Sequence, residues 1–242
     1  AENKPTGVNK LDFDKVIEDL EYDHQKKYMS ILSIHWGQEH VNYPNYHHMQ
    51  FARKLAESYQ FILHGHHPHV IQGIEKINNS FIAYSMGNFC FDNVYTKKSP
   101  FPLIKLSSNN QTSFIWTLEI KNCKVIGSNY IPIYIDDNEL RIINNYENFQ
   151  QQFYQFCEFL KADKETYVSY RQNLLNSYLS YRKRGRDLTW YIKRLNFESA
   201  KILYNAHINN KLYNIHIVNK LPIAQLPALQ NAVLILGNFD VI

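Results

Sequence analysis

The sequence has little glycine, 8 residues in 242, and little cysteine, three residues. So few glycines exclude a collagen-like or glycine-rich low-complexity chain. Cys90, Cys123 and Cys157 are widely spaced, odd in number, and form no Cys-x-x-Cys pair. That argues against a disulfide framework and against a thiolate zinc site, while leaving room for one disulfide and so leaving the redox compartment open. No run of about 18 apolar residues occurs, so no membrane-spanning helix is expected. The opening AENKPTGVNKLDF carries no apolar leader, and its first residue is not Met. The expectation is a chain that begins at a processing site or partway into a longer gene product. A net charge of +4 with histidine neutral does not by itself imply a nucleic-acid partner.

What the chain does have is enough apolar material for a core: 45% apolar and 14% aromatic residues, with 18 Tyr and 14 Phe. Its length allows one large domain, or a domain of roughly 140 residues plus a smaller unit. Apolar spacing predicts an amphipathic helix from Leu11 to Lys27 and a second from Tyr46 to Tyr59, with Met49, Ala52, Leu55 and Ala56 on one face. Tyr28 to Ile34 and Gln60 to Leu63 read as strands ending at His35 and His64. Val70 to Ile77 and Phe81 to Ser85 read as strands joined at a turn, Asn78-Asn79. Ser107 to Asn110 reads as a loop, followed by a hairpin of Gln111 to Ile120 with Lys124 to Ile135 and, near the end, a short strand over Ala232 to Leu236. Helix and strand alternate, which predicts an α/β (α+β) layered sandwich over residues 1–136. Residues 137–242, rich in Tyr, Asn, Lys and Arg, are predicted to be a mostly helical appendage.

Nine of the eleven histidines fall in the first 69 residues. Imidazole is a common ligand for zinc, iron and manganese-type sites. His35 stands at the end of one predicted strand, in SIHWG. His66, His67 and His69 follow another, in HGHHPH, so that both groups belong at the carboxyl edge where α/β sheets place ligands. Pro68 fixes its own backbone and biases His67 toward an extended conformation. Side chains two apart in an extended segment point the same way, so His67 and His69 are candidates to face one cation site, with His35 as a third ligand. His40, His47, His48 and His64 read as exposed or packing residues, and Trp36 as packing.

Three ordered blocks, SIHWGQEH, HGHHPHVIQGIE and AYSMGNFCFD, resemble successive blocks of the CapA, or poly-γ-glutamate capsule-synthesis, family. The match runs over about residues 7 to 92, and more loosely to about 135. That family is similar to the calcineurin-like metallophosphoesterases, and the likeness is to the C-terminal half of the domain. The resemblance implies two divalent metal ions (Mn, Fe or Zn), with His35 and His67 on one and His69 on the other. It places His66 where the superfamily has a glycine, as a candidate catalytic residue lining the site. Glu39 would orient a ligand, and Asn88 in Gly87-Asn88 would stand at the site edge. Asp92 matches an acidic position but is not taken as a ligand.

The superfamily's Asp-x-His, bridging Asp and Asn-His or Asn-Glu pair have no counterpart ahead of His35. Either the sequence is a fragment, which ranks first, or a second chain supplies the rest, or this is a degenerate copy; the site is therefore expected to be incomplete here, with weak or no hydrolysis by this chain alone. The implied role is bacterial capsule production, with capsule-synthesis machinery or an anionic polymer as partner. The alternative is a non-catalytic accessory protein that binds partner subunits or an acidic surface polymer. The run Tyr181 to Arg186 supplies Arg182, Lys183, Arg184 and Arg186 as candidate polymer contacts, against the simpler reading of a solvated charged face. No nucleic-acid module is recognisable, and the compartment, cell envelope or cytoplasm, stays open.

Overall fold

A computed structural model describes residues 10–91, 93, 105–136, 139–144, 146–184, 217–218 and 232–236, with side chains described through residue 181. Helix α1 (Phe13–Gln25) starts at Asp12, whose side chain accepts from the N–H groups of Asp14 and Lys15. It leads into strand β1 (Ser30–His35). Helix α2 (Tyr46–Ser58) is capped by Asn45 and leads into β2 (Phe61–His66). Strands β3 (Ile74–Ile77) and β4 (Ser80–Ala83) form the expected hairpin, with Asn78 at φ +52 in its turn. A first sheet has the order β3-β4-β2-β1-β8, in which β8 is Ile217–Val218. Pairing of β1 with β2 and of β2 with β4 is parallel, while β3 and β8 run antiparallel to their neighbours.

The second sheet is antiparallel. Strands β5 (Thr112–Lys121) and β6 (Lys124–Asp136) make its hairpin, flanked by β7 (Glu139–Ile142) and β9 (Ala232–Leu236), in the order β7-β6-β5-β9. Strand alternation divides the first sheet cleanly. Leu32, Ile34, Phe61, Leu63 and Ile82 pack on one side with Val16 and Leu20 of α1 and with Met49, Ala52, Leu55 and Ala56 of α2. Ile62, Phe81 and Ala83 pack on the other with Phe114, Trp116 and Leu118 of β5. The result is a helix layer, a mixed sheet and an antiparallel sheet. Each fully buried side chain of this size contributes roughly 1.5–3 kcal/mol.

Helices α4 (Tyr146–Phe159) and α5 (Lys164–Arg184) close over this body. Phe149 and Phe153 of α4 join the cluster between the sheets, and Leu160 and Tyr167 join the cluster under α1 and α2. Arg53 of α2 pairs with Glu75 of β3 at 2.8 Å and also donates to the Leu160 carbonyl at 2.7 Å. The Tyr167 hydroxyl donates to the Pro44 carbonyl at 2.9 Å.

Three local expectations change. Ser107 to Asn110 is not a plain loop: Ser108–Gln111 is a short helix, α3, closed by a reciprocal Ser107–Asn110 capping box. Residues 139–142 and 217–218, expected to be helical, are strands because each finds an open sheet edge to pair with. Strand β2 runs through His66 instead of ending at Leu63, since parallel pairing with β1 continues to His35–His66. All three cysteines are free. Among the described residues, no helix is long and apolar enough to cross a membrane. Asp92 and Arg186 lie outside the described residues, as do the side chains of Arg182, Lys183 and Arg184.

Candidate histidine site

The parallel register sets His35 opposite His66 at the carboxyl ends of β1 and β2. Neighbours in register share a sheet face, so both rings emerge on the side toward the second sheet. The ladder continues one step beyond, where Trp36 N–H donates to the His66 carbonyl at 3.1 Å. Gly65 makes this closeness possible. A Cβ there would stand 2.1 Å from the Tyr84 carbonyl oxygen and 2.7 Å from the Trp36 indole nitrogen. That indole is itself buried and donates to the Tyr84 carbonyl at 3.3 Å. Past the strands, the two loops are joined by His40 N–H donating to the Pro68 carbonyl at 2.8 Å.

Four of the predicted residues come together. The His35 and His67 ring centroids are 4.3 Å apart. Those of His35 and His66 are 5.0 Å apart, with their Nδ1 atoms at 3.2 Å. His67 and His69 are 6.0 Å apart, and His64 continues the row 5.5 Å from His66. The route to this arrangement differs from the expected one. His67 has φ +96 and His69 φ +57, so the segment around Pro68 is not extended. The bias of a following proline is local, and here the bonds made by the Pro68 and His69 carbonyls override it. Non-glycine residues at positive φ cost of order 1–3 kcal/mol each and cluster at functional sites. His40, at φ +60, is a third in the same pair of loops.

The hydrogen bonds assign protons. The buried Asn88 amide nitrogen donates to the Asn110 backbone carbonyl at 3.0 Å. A carbonyl only accepts, so the amide orientation is fixed and its oxygen faces His69 Nδ1 at 2.8 Å. His69 therefore carries a proton on Nδ1, and in the neutral ring the lone pair is on Nε2. Gly87, at φ +81, makes the turn that delivers Asn88, and a Cβ there would stand 2.8 Å from the Thr112 carbonyl oxygen. Between His35 and His66 one Nδ1 must hold the proton and the other accept it. His66 is 8% exposed, so it lies behind the cluster against His35.

Other predicted residues take different places. Trp36 is a packing residue, stacked on His48 with ring centroids at 4.8 Å. Burial, with lesser contributions from Arg171 and His47, pushes the His48 imidazole down to about 4. Glu39 is half-buried in the turn after β1, next to His40. Besides Asn110, which takes the Asn88 bond, sequence reading missed three contributors. His40 lies 6.4 Å from His69, ring to ring. Tyr178 of α5 packs on the other side of His40, with centroids at 5.2 Å. The buried Arg171, also on α5, donates to the Tyr43 carbonyl at 3.0 Å and to the Gln38 side-chain oxygen. Only His40 carried a signal, as the second histidine of SIHWGQEH.

The donor set fits part of a cation site. Imidazoles suit Mn, Fe and Zn, and His35, His67 and His69 stand together. Among the described residues, however, no group of three or more His, Cys, Asp or Glu is arranged to hold a metal ion as it stands.

Residues 1–93 match the family model described as bacterial capsule synthesis protein PGA_cap. This segment is similar to the CapA capsule-synthesis family. Over 82 residues the chain is 42% identical to the PGA biosynthesis protein CapA of Bacillus subtilis (strain 168), covering 33% of the chain and 22% of that relative. Over 75 residues it is 33% identical to the capsule biosynthesis protein CapA of Bacillus anthracis, covering 31% of the chain and 18% of the relative. These matches span about a fifth of the length of the curated CapA relatives. The CapA-matched segment holds His35, His66, His67, His69 and Asn88, while Asn110, Arg171 and Tyr178 lie beyond it.

Proposed function

We propose that the chain acts in bacterial capsule synthesis, of poly-γ-glutamate or polysaccharide, through a divalent-metal, phosphoesterase-like site to which it contributes His35, His67 and His69. The observation that carries this reading is the 4.3 Å approach of the His35 and His67 rings from the ends of two separate chain segments. The parallel β1-β2-β4 core with its ligand edge supports a partial metallophosphoesterase-like domain. Mn, Fe or Zn, two ions in the complete site, would be held by His35 and His67 on one side and His69 on the other. Such ions polarise a phosphoryl oxygen and acidify a bound water.

The chain's own residues do the rest. Asn88 keeps the His69 proton on Nδ1, so Nε2 faces its ligand unprotonated. The Nδ1 contact between His66 and His35 orients the His35 ring, and His66 is the candidate for proton transfer at the site. Carboxylates that complete the ligand set would come from outside the described residues.

In this reading the chain alone binds Mn²⁺ weakly and turns over bis(p-nitrophenyl) phosphate or p-nitrophenyl phosphate little or not at all. Robust turnover that disappears in His67→Ala would contradict the incomplete site. Mn²⁺ binding indifferent to His67→Ala would contradict the metal reading. The imidazole-only contacts favour one rival, a non-catalytic accessory protein that binds partner subunits or an acidic polymer, with Arg182, Lys183, Arg184 and Arg186 as the candidate contacts. Pull-down of poly-γ-glutamate by the wild type but not by a variant neutralised at these four positions distinguishes it.

A further inference from the structure

Helix α5 crosses the loop after β1, and three residues along one of its stripes hold that loop. The Tyr167 hydroxyl donates to the Pro44 carbonyl at 2.9 Å. One turn on, Arg171 Nε donates to the Tyr43 carbonyl at 3.0 Å, and its Nη2 donates to the Gln38 side-chain oxygen. Two turns further, the Tyr178 ring lies 5.2 Å from that of His40. Positions four and seven apart share a helix face, so one side of α5 grips residues 38–44 along their length. Little else attaches the helix. Among its described side chains Tyr167 and Arg171 alone are buried, while Val168, Tyr170, Leu179 and Tyr181 are exposed. The hydrogen-bond partners of the Arg171 guanidinium are uncharged oxygens, and burial lowers its pKa from the ordinary value. Such a cation recovers only part of what it loses in leaving water. Strand β2 by contrast buries Phe61, Ile62 and Leu63 at 0% exposure. A segment held by so few buried groups opens at a lower free energy than the core.

We propose that α5 is a strap with Arg171 as its latch: it docks and releases in a step separate from unfolding of the sheets, and its docking sets the loop that carries His40 beside His69. The two imidazole centroids are 6.4 Å apart in the docked state. The inference goes beyond the capsule-synthesis reading and holds whether or not the histidines bind a cation.

The test is native-state amide exchange of the whole chain in low urea, read by NMR. In the wild type the amides of α5 and of residues 38–43 exchange through one opening. That opening has a lower free energy and a smaller urea dependence than exchange in β1, β2 and β4. Arg171→Lys keeps the charge but not the fork that spans two acceptors. It speeds exchange in both segments by a common factor of about ten, the loss of one hydrogen bond to a charged group, and leaves the sheet amides unchanged. Val168→Ala, at an exposed position of α5, alters neither segment by more than about twofold. The His40 ring gives a second signal: as urea releases α5, its proton resonances move toward their positions in Tyr178→Leu before the sheets unfold.

Wild-type α5 amides that exchange only together with the sheet amides overturn the proposal, whether or not any variant folds. So does an Arg171→Lys variant in which exchange rises in α5 but not in residues 38–43, since the helix would then not set the loop. His40 ring resonances that stay fixed until the global transition overturn it as well.

Discussion

Gly65→Ala is expected to be the most damaging glycine-to-alanine change among the described residues. Gly65 lies between His64 and His66 in β2, where the β4 end and the Trp36 indole converge. The added Cβ would stand 2.1 Å from the Tyr84 carbonyl oxygen and 2.7 Å from the Trp36 indole nitrogen. The first of these is backbone and cannot swing away, so β2 and β4 must part. Overpacking of this kind costs about 1–3 kcal/mol. Separation also breaks the buried bond from Trp36 to Tyr84, leaving both groups unsatisfied for a further 1–3 kcal/mol or so. Together the loss is about 4 kcal/mol, a large part of a typical domain's stability. Gly127→Ala in β6 is the matched control, because its Cβ meets chiefly the flexible Glu119 side chain, at 3.2 Å. That variant should stay within about 1 kcal/mol of the wild type. Urea unfolding followed by tryptophan fluorescence measures both. A Gly65→Ala loss below about 1 kcal/mol, with an unchanged slope, would refute the close approach on which the histidine geometry depends.

Two further outcomes follow from buried groups beside the site. The folded His48 imidazole is lowered to about 4 from an ordinary 6.5, chiefly by burial, so the folded state binds fewer protons between these values. Stability from keeping His48 neutral is full above about pH 6.5 and is lost as pH falls toward 4, at most about 3 kcal/mol. His48→Phe, which keeps the stack on Trp36, should flatten that part of the pH–stability curve; an unaltered curve counts against it. Arg171→Met strands the Tyr43 carbonyl and the Gln38 side chain and frees the loop after β1. It should cost about 2–3 kcal/mol and raise amide exchange in residues 37–43, whereas unaltered exchange there would show that α5 does not hold the loop.

Much of the fold was legible because burial pattern and element type agree. The face Met49, Ala52, Leu55 and Ala56 is the buried face of α2, and Asn78 takes the left-handed conformation that its hairpin turn invites. Where contacts distant in sequence decide, local reading failed. The polar run His64-Gly65-His66 looks like a loop, yet parallel pairing with β1 makes it strand. Residues 139–142 looked helical, yet an open edge of β6 recruits them. At the site, His35, His66, His67 and His69 could be named from spacing and family likeness, and Asn88 as an edge residue. Asn110, Tyr178 and Arg171 could not, because nothing in their neighbouring sequence distinguishes them from ordinary helix residues. Their roles arise from contacts distant in sequence, such as Asn110 to Asn88, 22 residues apart, and Arg171 to Gln38, 133 residues apart.

Calorimetric titration of the purified chain with Zn²⁺, compared with His35→Ala and His67→Ala, tests the central claim most directly. If the two imidazoles serve one cation, the wild type binds and each substitution weakens binding by a similar factor of about ten or more. Wild-type affinity in His35→Ala, with affinity lost only in His67→Ala, would mean that the 4.3 Å pair shares no ion.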